Sequence, residues 1–418
     1  MSRPVATIAV FFTIVAVIGI GWWLYAYIRL GGEVSFGAKQ TGQVPLAVQE
    51  FTAKDAMTTD SQTPVTPDLE LVVSGLEVPW SIAFTASDRM LITERPGRVR
   101  VFENGQLSPE PLITFSEVSS TGEEGLMGLV LHPDYAQKKE FYVCLAYPVG
   151  DGLADKIVLL KDNGLRAEVV RMILDDIPAA RFHAGCELGF GPDGKLYVTT
   201  GDATDGKLAQ QADSLAGKIL RLNPDGSVPD DNPKPDSPVY SSGHRNPQGL
   251  AWHPETGELF SAEHGPSGFD GPLGGDEINA IQANGNYGWP EVSHQRTSPD
   301  YVSPLLVYTP AVAPGSAAFY TGEHFPAWRN SFFFAALKGE AVYRLVFDIR
   351  TAQRNADPNA QLPNRVLSQE KLDLPDVGRI REVIQGPDGF LYIATSNRDG
   401  RGTVRDGDDK IFRIVGKK

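Results

Sequence analysis

Four short segments bring together side chains that can move protons or hold anions. They are Arg181-Phe182-His183-Ala184-Gly185-Cys186, Gly243-His244-Arg245-Asn246-Pro247-Gln248-Gly249, Glu263-His264-Gly265-Pro266 and Gly378-Arg379-Ile380-Arg381. Histidine titrates near neutrality and can act as a general base. The guanidinium fork matches a carboxylate in shape and charge. Taken singly, each segment has an ordinary explanation. A lone histidine commonly serves as a hydrogen-bonding strut, and Arg-x-Arg on a strand places both charges on one face. Taken together they say more. Arg245, Arg379 and Arg381 in one concavity would repel each other unless an anion lay between them. The set therefore reads as a pocket for an anionic ligand with a base beside it. His183, His244 and His264 lack the i, i+4 spacing of a helical zinc motif, and no EF-hand loop is present. Calcium held by backbone carbonyls of the Gly-Pro turn stays open, because it accepts oxygen ligands of any origin.

A recurring pattern supplies the scaffold. An apolar strand, a turn and a second strand appear at 81–95, 129–147, 188–202, 250–265 and 383–397, with a degenerate copy at 317–337. The turns are rich in Pro, Asp and Gly, which pre-set hairpin geometry. Self-similarity at this spacing marks a repeat architecture. The fold class is all-β, a six-bladed β-propeller. Segments that precede equivalent strands lie at the same end of a propeller, so the four functional segments should gather around one mouth of the axis. A pair of β-sandwiches is the rival fold, and six repeats are too many for it.

The net charge is −14 with no polybasic run, which excludes a nucleic-acid partner. Cys144 and Cys186 form no C-x-x-C motif. They read as two buried thiols, with a single bridge open to them in an oxidising compartment. Val5 to Ile28 are uncharged and mostly apolar. As a helix this run would reach roughly 36 Å, against roughly 30 Å of hydrocarbon. No small-residue cleavage site follows, so residues 1–30 are expected to form a retained transmembrane signal anchor. Residues 31–68 read as a polar linker and 69–418 as the propeller. The expected location is a bacterial inner membrane with the propeller in the periplasm.

At these same segments the chain resembles the PQQ-dependent glucose, aldose and sorbosone dehydrogenases, where PQQ is pyrroloquinoline quinone. The resemblance runs in order over 70–418. Its most specific strings are GHRNPQGL at 243–250 and NYGWP at 286–290. It implies oxidation of the C1 hydroxyl of aldoses with PQQ and Ca²⁺. It also implies a sugar substrate and an external electron acceptor, a quinone or a cytochrome. Carried over residue by residue, it implies His183 as the base and Asp202 as the residue that orients it. Arg245 and Asn246 would contact the quinone carbonyl region. Lys338, Arg379 and Arg381 would hold the cofactor's carboxylates. The Gly265 and Pro266 carbonyls would bind the catalytic calcium, and Glu277 and Tyr287 would lie near a structural one.

Two departures bear on the site. Glu123 stands where the glucose-type enzymes carry glutamine. Thr309 and Ala311 stand where they carry tryptophan and threonine. Two rivals from other classes are a calcium-dependent lactonase and a non-catalytic propeller such as the hedgehog-interacting proteins. The first needs carboxylate and asparagine ligands on the axis. The second would be expected to lose His183 or a cofactor cation, and this sequence keeps them all.

Overall fold

The computed structural model describes residues 66–348 and 365–417. The second strand of each repeat explains the architecture. In Phe332–Ala336 all five side chains are buried. Phe332 and Phe334 pack with Phe260 and Ile278 on one side, while Phe333 and Ala335 pack with Ile380 and Val383 on the other. Successive residues of a strand point to opposite faces. A strand that is apolar at every position must therefore lie in a sheet covered on both faces. Glu140–Val149 behaves in the same way. Phe141, Val143 and Leu145 face one neighbouring sheet, and Tyr142, Cys144 and Ala146 face the other.

Six antiparallel sheets satisfy this demand by stacking in a ring. Their innermost strands are Pro79–Ala86, Leu126–Leu131, Leu188–Phe190, Pro247–Trp252, Pro314–Phe319 and Ile380–Gln385. These open blades 1 to 6 in chain order. The core is correspondingly divided into six hydrophobic clusters, one at each interface between neighbouring blades. The expected six-bladed propeller is thus observed, and among the described residues helix is confined to Tyr135–Lys138 and two short 3-10 turns.

The ring closes through the N-terminal strand Pro67–Val73. It pairs with the third strand of blade 6, Ile411–Gly416, with Pro67 opposite Gly416 and Leu71 opposite Phe412. The boundary read from sequence at residue 69 therefore falls inside a strand. The linker assigned to 31–68 overlaps the first two residues of the propeller. The apolar run Val5–Ile28 lies outside the described residues. Among the described residues no helix is long and apolar enough to cross a membrane.

The cysteines are corrected as well. Cys144 and Cys186 form a disulfide with a Cα–Cα distance of 6.3 Å. Cys144 lies in the second strand of blade 2 and Cys186 just before blade 3. Both belong to the cluster between those blades, which brings them within bonding reach. The bridge closes a sequence separation of 42 residues, for which chain entropy suggests roughly 4 kcal/mol of stabilisation at most. Cys144→Ser should lower the unfolding free energy by ~2–4 kcal/mol in non-reducing urea denaturation. An unchanged midpoint with and without reductant would contradict the bond.

Candidate active site

The innermost strands all begin at one end of the propeller. In five of the six blades the register between first and second strand slips at that end, between Pro79 and Ser81, Leu126 and Leu129, Pro247 and Gly249, Pro314 and Ala317, and Ile380 and Glu382. Such bulges re-aim side chains and are common beside active sites. The segments that carry His183, Arg245, Arg379 and Arg381 all converge there.

His183 sits in the loop before blade 3 with a backbone φ of 56°, a left-handed conformation that is costly for a residue with a Cβ. The loop crosses the backbone of Gly201 so closely that a Cβ there would lie 1.8 Å from the His183 carbonyl oxygen. Glycine at 201 is what admits the crossing. His183 Nδ1 is 2.7 Å from Asp202 Oδ1, and its Nε2 is 2.7 Å from Arg245 Nη2. A guanidinium can only donate, so Nε2 is the acceptor and the ring proton sits on Nδ1, facing Asp202. The imidazole is thereby neutral, with its basic nitrogen on the side of Arg245. Asp202 is buried and its second oxygen accepts from Trp289 Nε1 at 2.8 Å. Phe269 stacks on the imidazole at 5.6 Å.

Arg245 is held from several directions. Its Nε donates to Asp270 at 2.6 Å, Nη1 to the His264 carbonyl at 3.1 Å and Nη2 also to Ser267 Oγ at 3.1 Å. Burial raises the Asp270 carboxyl, but the Arg245 hydrogen bond, the Ser267 amide and the Arg245 charge outweigh it and hold it below the usual carboxylate range. Asp270, Ser267 and Phe269 were not identified from sequence, because their roles arise from a loop that folds back over Arg245; Trp289 lies in the NYGWP string, but its bond to Asp202 was not read from it.

The expected cations divide. Arg379 and Arg381 are buried and line one cavity of about 380 Å³ with Gln248, His264 and Leu337. Arg379 pairs with Asp399 at 2.8 Å. Burial pulls Arg381 down to about 10, so it remains a cation at neutral pH. Lys338 is exposed, and its neighbour Leu337 lines the cavity. Burial first, then the charges of Arg381 and Arg245, hold His264 well below the ordinary histidine range and keep it neutral. His244 is not a pocket residue. It is fully buried between Ser241 Oγ at 2.8 Å and Glu263 at 2.9 Å, and stacks on Tyr287.

Three nitrogens at this mouth are buried without a partner: Asn246 Nδ2, Arg381 Nε and His264 Nε2. An unpaired buried donor is costly. Two convergent guanidiniums with such donors fit an acceptor-rich anion of several carboxylates. Gly265, Pro266, Glu277 and Tyr287 share a second, much smaller cavity with Glu263 and Arg245. Its volume is about 10 Å³, room for roughly one water-sized guest. Burial, reinforced by Glu263, pushes the Glu277 carboxyl up to about 8. Among the described residues no group of three His, Cys, Asp or Glu side chains is arranged to hold a metal, so a cation here would depend on carbonyl oxygens as well as carboxylates.

Glu123 and Thr309 both have local partners. Glu123 pairs with Arg401 at 2.8 Å and accepts from the His183 amide at 3.4 Å. Thr309 Oγ1 accepts from the Gly275 amide at 3.0 Å, a bond within the turns that border the small cavity.

Residues 76–405 match the family described as glucose/sorbosone dehydrogenase. An aldose sugar dehydrogenase of Escherichia coli strain K12 is 32% identical over 362 residues, spanning 81% of this chain and 92% of the relative. Quinoprotein glucose dehydrogenase B of Acinetobacter calcoaceticus is 26% identical over 447 residues, spanning 83% of this chain and 88% of the relative. The PQQ-bound form of an aldose sugar dehydrogenase from Streptomyces coelicolor superposes with a TM-score of 0.70 at 30% identity, over 85% of this chain and 99% of that one.

Proposed function

The chain belongs to the glucose/sorbosone dehydrogenase family, and on that premise we propose that it oxidises the C1 hydroxyl of aldoses with PQQ and Ca²⁺. The observation that carries this reading is His183, held by Asp202 at Nδ1 and by Arg245 at Nε2, next in the chain to Phe182, which lines the cavity that holds Arg379 and Arg381. PQQ, when bound, supplies the two-electron acceptor, and the protein supplies position and field.

Each residue then has a stated task. Arg379 and Arg381, with Lys338, hold the cofactor's carboxylates as charge-assisted pairs. Asn246 and Arg245 offer donors to its carbonyl region. The Gly265 and Pro266 carbonyls would hold the catalytic calcium, with Glu277 and Tyr287 on the same small cavity. In the mechanism His183 Nε2 exchanges its bond from Arg245 for the sugar hydroxyl and takes that proton. Asp202 stabilises the imidazolium so formed, and Trp289 and the Thr204 amide keep the carboxylate in place. An external quinone or cytochrome would take the electrons. The apolar run Val5–Ile28 supports a signal anchor that would hold the propeller on the periplasmic side of a bacterial inner membrane.

Product analysis tests the proposal. Protein supplied with PQQ, Ca²⁺, an aldose and an artificial dye should yield the C1 lactone, two electrons appearing in the dye per lactone formed. Chelation should stop the reaction, and Ca²⁺ with PQQ should restore it. Hydrolysis of lactones without dye reduction would favour the lactonase instead. PQQ-independent ligand binding without turnover would favour the non-catalytic propeller.

A further inference from the structure

Besides Arg379 and Arg381, three more arginines line the 380 Å³ cavity: Arg95, Arg398 and Arg401. Four of the five are already engaged. Arg379 binds Asp399 and the Leu337 carbonyl, Arg381 binds Gln248, Arg398 binds the Asp408 carbonyl at 2.7 Å, and Arg401 binds Glu123. Among the described residues the Arg95 side chain makes no hydrogen bond or ion pair. The feature is not a stray surface charge. The side chain is part-buried, and burial holds it below the usual guanidinium range against the attraction of Asp399, Glu124 and Glu123. It still stays a cation at neutral pH.

The chain fixes where Arg95 points. Its amide donates to the Val78 carbonyl at 3.0 Å, and its own carbonyl accepts from the Leu126 amide at 2.9 Å. Between those bonds the side chain runs across Gly125, where a Cβ would lie 2.2 Å from Arg95 Cγ. Glycine at 125 opens the lane that leads the guanidinium into the cavity. Arg95 and Arg379 both repel Arg381. Three guanidiniums around one hollow, one of them with no protein partner, leave a positive charge that is paired when a polyanion enters.

We infer that Arg95 is a third guanidinium partner of the anionic cofactor's carboxylates, taking one of them on the blade 1 side of the cavity. The inference rests on the cofactor reading above and adds a residue to it. PQQ carries three carboxylates, and Lys338 is exposed. Arg95 supplies a guanidinium inside the cavity, where charge-assisted bonds are least screened.

Isothermal titration of PQQ into the full chain, with Ca²⁺ present, tests it. Arg95→Met keeps the stem beside Gly125 and removes the charge. It should weaken PQQ binding by about 10- to 100-fold, the loss of one hydrogen-bonded charged partner. Its melting temperature without PQQ should stay within about 2 °C of the parent, because no protein bond is lost. Arg95→Gln serves as the second variant if the methionine disturbs folding. Arg379→Ala is the control arm. Weak binding in Arg379→Ala with normal binding in the Arg95 variants would overturn the Arg95 inference and leave the cofactor reading standing. No PQQ binding by the parent protein would overturn both.

Discussion

Replacing His183 with alanine is expected to lower sugar turnover by about 10²- to 10⁴-fold, the range of general-base catalysis, while PQQ still binds. The imidazole is positioned for one task. Asp202 fixes its tautomer at 2.7 Å, and Arg245 holds the opposite nitrogen at 2.7 Å. Neither contact reaches into the arginine-lined part of the cavity, so cofactor affinity should change little. The backbone at His183 is left-handed, with φ 56°. Alanine is strained there, whereas asparagine tolerates it. His183→Asn is therefore the companion variant, and both should lose turnover alike if the base is what matters. Recovery of activity in His183→Asn would show that loop conformation, not proton transfer, was lost. Near-normal turnover in both would remove His183 from the mechanism.

Deleting the strand Pro67–Val73 should be the most damaging change to stability. That strand closes the ring by pairing with Ile411–Gly416. Val73 packs between blades 6 and 1, and Leu69 packs between blades 5 and 6. Six paired positions are lost with it. At about 1 kcal/mol net per hydrogen bond, and with the burial of Val73 added, the loss is on the order of 5 kcal/mol or more. That is comparable to the whole stability of many domains. A chain that begins at Thr66 should melt as a single cooperative unit, and one that begins at Gly75 should not. Calorimetry decides between them. Equal transitions would mean that the ring closes without this strand.

The contrast between these two regions shows what the sequence exposes. The six hairpins were legible because each turn carries Pro, Asp and Gly at fixed places between apolar runs. The closing strand was not, because Pro67–Val73 has no hairpin of its own and pairs with residues more than three hundred positions away. The disulfide was hidden for a similar reason. Cys144 reads as one more apolar position in a strand, and only the stacking of blade 3 on blade 2 brings Cys186 to it. In the site, His183, Arg245, Arg379 and Arg381 were recognisable from their motifs, and the bulged strand starts gather them as the repeat pattern implies. Lys338, which the resemblance makes a carboxylate partner, is exposed next to the cavity-lining Leu337. Arg95 gave no signal, since an arginine before a Pro-Gly turn is ordinary. Its meaning depends on Gly125 from the next blade.

The central claim is that sugar reduces a cofactor held at this mouth. A single anaerobic turnover tests it most directly. The protein, loaded with one equivalent of PQQ and with Ca²⁺, is mixed with excess aldose in the absence of any electron acceptor, and the absorbance of the bound cofactor is followed. The oxidised cofactor's spectrum should be lost in one stoichiometric step, much slower in His183→Ala. Bound PQQ that keeps its oxidised spectrum with every aldose tried would contradict it.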